Sequence, residues 1–459
     1  MKKTTLFWLL TIIIPCVVYV AAPQDVSPKM PLYMAMTSMA VAAWVFNIFP
    51  AIGVAALLTF GYLLGGVAGP GVVFKPWTTV LPWLSFGAII LGHAMEQTGL
   101  ARRVALRCIR LCGGSFFGLA CGFVIGGLVL ASFMSSILAR MVILCTIATG
   151  IIDALKIKES SRLSSAIVFM AFLAGAGPQF LFLHSSESNI WAFQELFKGT
   201  DVVIDFWTYA LHSTLFSVIY TVVSMGFIYM VKGKEQLTSS EVMAFLSESY
   251  SRLGKMSVGE IKLSFICLIL VTAFMVQPWT GIDPVYVFCV LSLLCYMPFV
   301  KILDPGTISE LAIMFLVFVT GCMSIGFVGG AVGFNTWTVQ QIVPLLSGWS
   351  ETVSIFMSYL LGLVVNFLLT PLAALGAITP AIGELGRAMN VNPLPVFYAF
   401  NYGLDQYLFP YETVYLLYIF ITGKISLRHI MPALFARMIV TGLLIVCVAI
   451  PWWNFIGLM

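Results

Sequence analysis

Two acids, Glu187 and Glu412, set the chemical question for this chain. Each interrupts a long apolar stretch beside small hydroxyl residues, in Ser185-Ser186-Glu187-Ser188-Asn189 and in Tyr411-Glu412-Thr413. An ionised carboxylate in hydrocarbon is costly unless it faces a cavity or a partner. Each acid therefore has four readings. It binds a coupling cation, carries a proton, occupies helix ends that would otherwise hold an anion, or caps a broken helix.

The second set of residues sits where apolar stretches turn polar at their middles, at Phe133-Met134-Ser135-Ser136 and at Leu369-Thr370-Pro371. Ser135-Ser136 suits the start of a helix, and Thr370 before Pro371 fits an N-cap followed by proline at the first helical position. Ser185 or Ser186, and Pro410 with Tyr411, precede two further half-helices. A helix N-terminus carries about +0.5 charge and free N–H donors. Four such ends converging would bind an anion without any formal positive charge, although each hydroxyl equally serves to satisfy its own helix. The expected anion contacts are Ser135, Ser136, Arg140, Ser188, Asn189, Thr370 and Thr413. Arg140, about one turn beyond Ser136, either holds a carboxylate with two parallel hydrogen bonds or neutralises Glu187. The expected coupling set is Glu187, Glu412, Asp405 and His184. His184 reads as a structural hydrogen-bonding group or a proton relay, and Asp405 with Gln406 as lining of the same cavity. Arg437 is expected to pair with an acid or to extend to the interface, and Trp452 and Trp453 to belong to an interfacial belt.

The elements that must position these residues are membrane spans. Of 459 residues, 60% are hydrophobic and 9% charged, against about 25% charged in a soluble domain. Lipid must be the solvent for much of such a chain. A net charge of +4 suggests no nucleic-acid role, and ten scattered cysteines suggest neither a zinc site nor a disulfide framework. A span takes about 20 apolar residues, which places about 11 spans, near 5–22, 30–48, 50–66, 78–98, 163–195, 205–231, 262–279, 284–300, 308–330, 394–420 and 430–457. The stretches 116–152 and 352–388 read instead as re-entrant hairpins. The first span resembles a signal peptide in composition and is read as uncleaved.

Basic residues test this layout, because Lys and Arg prefer cytoplasmic loops. With the N-terminus inside, only Lys29, Lys75, Lys198 and Arg387 fall outside. That asymmetry holds only if 116–152 enters and leaves on the inside; 352–388 then opens outward. The longest polar segment, 232–261, separates an N-terminal span (1–28) and a first repeat (29–231) from a second repeat (262–459). Both repeats run span, span, span, hairpin, broken span, span, with opposite starting sides. Inverted repeats of this kind are the common plan of secondary transporters. The expected fold is all-α and embedded in a membrane, in a bacterial inner membrane by this orientation.

At these residues the chain resembles the divalent-anion/sodium symporter family, the di- and tricarboxylate and sulfate transporters. The likeness is carried by Phe86-Gly87 through Glu96-Gln97-Thr98-Gly99-Leu100-Ala101-Arg102-Arg103-Val104-Ala105, by the order of hairpins and broken helices, and by Gly423-Lys424-Ile425-Ser426 before the last span. The resemblance implies a homodimer with a small anionic substrate. It implies a scaffold of spans 2–4 and 7–9, and hairpins that move with spans 5, 6, 10 and 11 as an elevator. It implies Na⁺ as coupling ion and no resident cofactor. Departures are specific. The family's Ser-Asn-Thr tips become Ser135-Ser136-Ile137 and Thr370-Pro371-Leu372, and its neutral broken-helix segments gain Glu187 and Glu412, keeping Asn189. Two acids in place of neutral residues point to H⁺ coupling or to a different substrate. The alternative on the same fold is a cation/proton antiporter or a metalloid-oxyanion exporter. An enzyme is not expected, because no HExxH, GxSxG or paired mid-span aspartates occur, and no nucleotide-binding GxxxxGK[ST] loop is present.

Overall fold

Several helices begin at side-chain caps, such as Ser115, Ser136 and Asp205, and several stop at Gly, such as Gly99 and Gly281. The computed structural model describes residues 3–46, 48–197, 202–304, 306, 310–346, 349–367, 371–389, 392–410 and 412–459. The first helices are α1 (Lys3–Ala21), α2 (Met30–Val45), α3 (Ala51–Leu64), the single turn α4 (Pro70–Val73), α5 (Val80–Thr98) and α6 (Leu100–Cys112). Then come α7 (Phe116–Ala131), α8 (Ile137–Ala154), α9 (Arg162–Ala176), α10 (Glu187–Leu196), α11 (Phe206–Lys232) and α12 (Ser239–Ser251). The remainder are α13 (Val258–Thr280), α14 (Pro284–Leu294), α15 (Glu310–Ala331), α16 (Phe334–Leu346), α17 (Glu351–Asn366), α18 (Pro371–Met389), α19 (Pro393–Leu404) and α20 (Val414–Ile421). The chain closes with α21 (Leu427–Leu444), a π-helical turn (Ile445–Ala449) and α22 (Ile450–Phe455). Among the described residues there is no strand, and six helical stretches are long and apolar enough to cross a membrane.

The stretch 116–152 is a helical hairpin whose two ends lie together. Ser115 caps α7 by accepting from the Gly118 N–H, and Ser136 caps α8 by accepting from the Ala139 N–H. At the open end, a Cβ on Gly114 would collide with the Ser239 carbonyl, and one on Gly150 would stand 2.9 Å from the Phe245 ring. Both ends therefore rest on α12. The arms have 16 and 18 residues, about 24 and 27 Å at 1.5 Å per residue. Small residues let the helices close up, as they do generally where apolar helices meet in lipid. Gly127 of α7 lies against the Ala174 carbonyl of α9, and Gly362 of α17 faces Gly403 of α19. Each half-helix that follows a break packs on the other half's return arm: α10 against α18, and α20 against α8.

Several boundaries differ from the sequence reading. The expected span 284–300 is helical only as Pro284–Leu294; Pro298 cannot supply a helical N–H and disfavours helix just before it. Three amphipathic or polar helices, α6, α12 and α16, were not anticipated as elements. Arg103 of α6, within the motif quoted above, donates its Nε proton to Glu260 Oε1 at 2.6 Å and binds the Leu253, Gly254 and Lys255 carbonyls. It thereby pins the linker to α6. Trp453 is fully buried, not interfacial; its Nε1–H donates to the His212 carbonyl at 3.0 Å and its ring stacks on Tyr398.

Candidate functional site: two joined chain breaks

The first break follows Ala176, where Gly177-Pro178 ends the α-helical ladder and two 3₁₀ turns, Gly177–Phe180 and Leu183–Ser185, carry the chain to α10. Arg140 reaches it from α8. Its Nε–H donates to the Gly175 carbonyl at 3.2 Å, and Nη1 donates to the Ser185 carbonyl at 2.9 Å and to the Met134 carbonyl of the hairpin tip. The side chain is 0% exposed. Ser185 is consumed locally, its hydroxyl donating to the Phe182 and Pro178 carbonyls. His184 contacts the Ser132 carbonyl through Nε2 at 2.6 Å and stacks on Phe274 of α13 with ring centroids 4.6 Å apart.

The second break runs from Asp405 to Thr413, and Thr413 caps α20 by accepting from the Tyr415 N–H. Here the closing group is an acidic side chain. The Leu408 N–H donates to Glu412 Oε2 at 2.8 Å, the Phe409 N–H to Oε1 at 3.1 Å, and Asn366 Nδ2 to Oε2 at 3.3 Å. Glu412 is 2% exposed. Pro410 precedes this half-helix, and the side chain of Thr413 supplies its cap.

The two breaks are bonded to each other. Gln179 Nε2 donates to Asp405 Oδ1 at 2.6 Å, and Asn401 Nδ2 donates to Asn189 Oδ1 at 3.0 Å. Asn189 Nδ2 in turn donates to the Gln179 carbonyl. Arg437 of α21 completes the junction with an ion pair to Asp405 Oδ2, a bond to the Asp405 carbonyl at 2.7 Å, and one to the Tyr220 hydroxyl. A buried ion pair tolerates removal from water only with such added hydrogen bonds, and Arg437 Nη1 is left without one among the described residues.

Of the residues singled out in the sequence, Ser135, Ser136, Arg140, His184, Asn189, Asp405, Glu412 and Thr413 all lie at the hairpin tip or the breaks. Ser135 is buried and Ser136 half-buried. Thr370 lies outside the described residues, and for Glu187 and Ser188 only the helical backbone of α10 is described. Asp405 is already engaged by a guanidinium and an amide. Sequence reasoning missed Gln179, Asn366, Asn401 and Tyr220. Gln179 and Asn366 carried a usable signal, as amides in apolar stretches within one turn of a break.

The prominent cavity, about 800 Å³ and overwhelmingly apolar, is elsewhere. It separates α1 and α2 from α17 to α19, lined by Val18, Thr37, Val41, Trp349, Ile382 and Val396 among others. The buried apolar residues likewise form two clusters, a smaller one from α2, α3, α4 and α15 and a larger one that includes the breaks. Among the described residues no group of His, Cys, Asp and Glu could hold a metal ion.

An apolar all-helical chain with interrupted helices bonded together at a polar junction defines a multi-pass membrane transporter. The model for the sodium:sulfate symporter transmembrane region matches residues 2–459, and the chain belongs to that family. A sodium-dependent dicarboxylate transporter of Staphylococcus saprophyticus is 23% identical over 442 residues, 88% of this chain and 83% of the relative. An L-tartrate/succinate antiporter of Escherichia coli is 23% identical over 357 residues, 72% and 70% of the two chains. The YdaH transporter structure from Alcanivorax borkumensis aligns over 99% of this chain and 97% of its own, with 15% identity and a TM-score of 0.53, a likeness of fold.

Proposed function

We propose that the protein is a secondary active transporter of a small anion of the di- or tricarboxylate or sulfate class. It would work by an elevator displacement coupled to Na⁺ or H⁺, or by exchange for a second anion. The observation that carries this reading is the junction of the two breaks through Gln179–Asp405 and Asn189–Asn401. It brings half-helices from opposite ends of the chain to one place, and half-helix N-termini are how such proteins address anionic groups. Ser135, Ser136, Asn189, Thr370 and Thr413 are the proposed anion contacts, with Ser188 beside them. Glu187 and Glu412 are the proposed coupling residues, with His184 in reserve as a proton carrier. The relatives' sodium dependence favours Na⁺; the relative that is an antiporter keeps exchange open.

The proposed layout retains two repeats, 29–231 and 262–459, around the 232–261 linker. Hairpin 116–152 opens to the cytoplasm and 352–388 to the outside, in a homodimer with the N-terminus inside. The contact of both ends of the first hairpin with α12 supports its opening on the linker's side. The apolar seam between α1–α2 and α17–α19 supports sliding of one body past another. The cation/proton antiporter reading is weaker, because Asp405 is neutralised by Arg437 and Glu412 faces N–H donors.

The test is uptake into proteoliposomes of radiolabelled succinate, tartrate, citrate, sulfate and phosphate. Each is measured under a Na⁺ gradient, a proton gradient, or a gradient of unlabelled counter-anion. Saturable uptake of at least one anion under one gradient is expected. Inactivity with every anion under every gradient would sink the reading.

A further inference from the structure

We propose that Arg140 is a tethered cation, filling a cage of main-chain carbonyls at the first break that an inorganic cation would otherwise have to fill. The inference rests on the transport reading above and concerns how the first half of the molecule is closed.

Three carbonyls from three separate segments converge on one guanidinium. Met134 lies at the hairpin tip, Gly175 in the last turn of α9, and Ser185 in the 3₁₀ turn before α10. In transporters built from discontinuous helices, unwound carbonyls and half-helix C-terminal ends are the ligands offered to Na⁺ or H⁺. A guanidinium supplies five N–H donors and does not lose its proton in a protein. The cage is therefore permanently occupied, by a charge that cannot dissociate and moves with the hairpin.

The second half has no guanidinium at the matching position of its return arm; its buried Arg437 comes from α21 and is paired with Asp405. Arg140 stands four residues beyond Ser136, and the residue four beyond Thr370 is Ala374, fully buried. At the second break, Asn366 Oδ1 is buried with no hydrogen-bond partner among the described residues. Its Nδ2 meets the Glu412 carboxylate. The unpartnered oxygen, Asn366 Oδ1, is thus at the second break, and a dissolved coupling cation belongs there and not at the first.

The experiment compares the full-length wild type with Arg140→Lys, Arg140→Gln and Arg140→Ala in detergent and in proteoliposomes. Thermal midpoints and anion uptake are measured in choline, Na⁺, K⁺ and guanidinium salts at constant ionic strength. Arg140→Ala and Arg140→Gln should lose roughly 5 °C or more in choline. Millimolar guanidinium or Na⁺ should restore at least half of that loss saturably, since a ligand of the native state stabilises it. Their uptake should become about tenfold more dependent on the restoring cation than that of the wild type. Arg140→Lys, which keeps a tethered charge, should follow the wild type's cation response. If Arg140→Ala does not fold in any salt, the Lys and Gln variants decide. Identical cation responses of those two, or failure of every cation to restore the neutral variants, overturns the proposal. Wild type that transports nothing sinks the function itself, whereas the thermal readout judges the cage independently.

Discussion

The two chain breaks solve one problem with opposite side-chain chemistry, a base at one and an acid at the other. Where a membrane helix is interrupted, N–H and C=O groups are freed that lipid cannot satisfy. At the first break a cation, Arg140, gathers carbonyls from three segments. At the second an acid, Glu412, gathers the Leu408 and Phe409 amides, and Asn366 joins from α17. The Gln179–Asp405 bond holds the two breaks side by side.

The comparison breaks first at the shared junction. Arg437→Met or Asp405→Asn alone strands a buried charge and should cost about 3–5 kcal/mol. Loss of the monodisperse peak in size-exclusion chromatography would report it, and the double variant should recover much of the yield. Equal yields from all three would show that the junction does not hold the breaks together.

Glu412→Gln sharpens the asymmetry next. Turning an acceptor of two amides into a group that also presents its own N–H donors should cost about 1–3 kcal/mol. It should also shift the cation or pH dependence of uptake, while Arg140→Lys leaves that dependence in place. A variant that melts and transports like its parent at every pH and salt would remove Glu412 from coupling.

Asn189→Ala removes the amide that links the first break to α19. It should lower the thermal midpoint by an amount matching about 1 kcal/mol and raise the half-saturating anion concentration. An unchanged concentration dependence would confine Asn189 to packing. The smallest effect belongs to Ser136→Ala, a lost N-cap costing about 1 kcal/mol. If anion affinity falls further than that loss of stability explains, the hydroxyl touches the anion; if only the melting temperature moves, it is a cap.

Legibility in the sequence followed the range of the interaction. Ser136 as the cap of α8 and Pro371 at the start of α18 were readable because a cap acts across three residues. The amphipathic helices α6, α12 and α16 went unread because attention to span-length apolarity passes over a helix that is half polar.

Composition and local capping chemistry, which act within a few residues, were enough to determine a lipid-embedded helical chain with a polar hairpin tip and two interrupted helices. The partner of each polar group was settled only by tertiary structure. Arg140 meets Ser185 across 45 positions, Gln179 meets Asp405 across 226, and Arg437 meets Asp405 across 32. A side chain's type states which bonds it must make once buried. Only packing, through close contacts such as Gly127 on Ala174 and Gly362 on Gly403, decides which distant group arrives to make them.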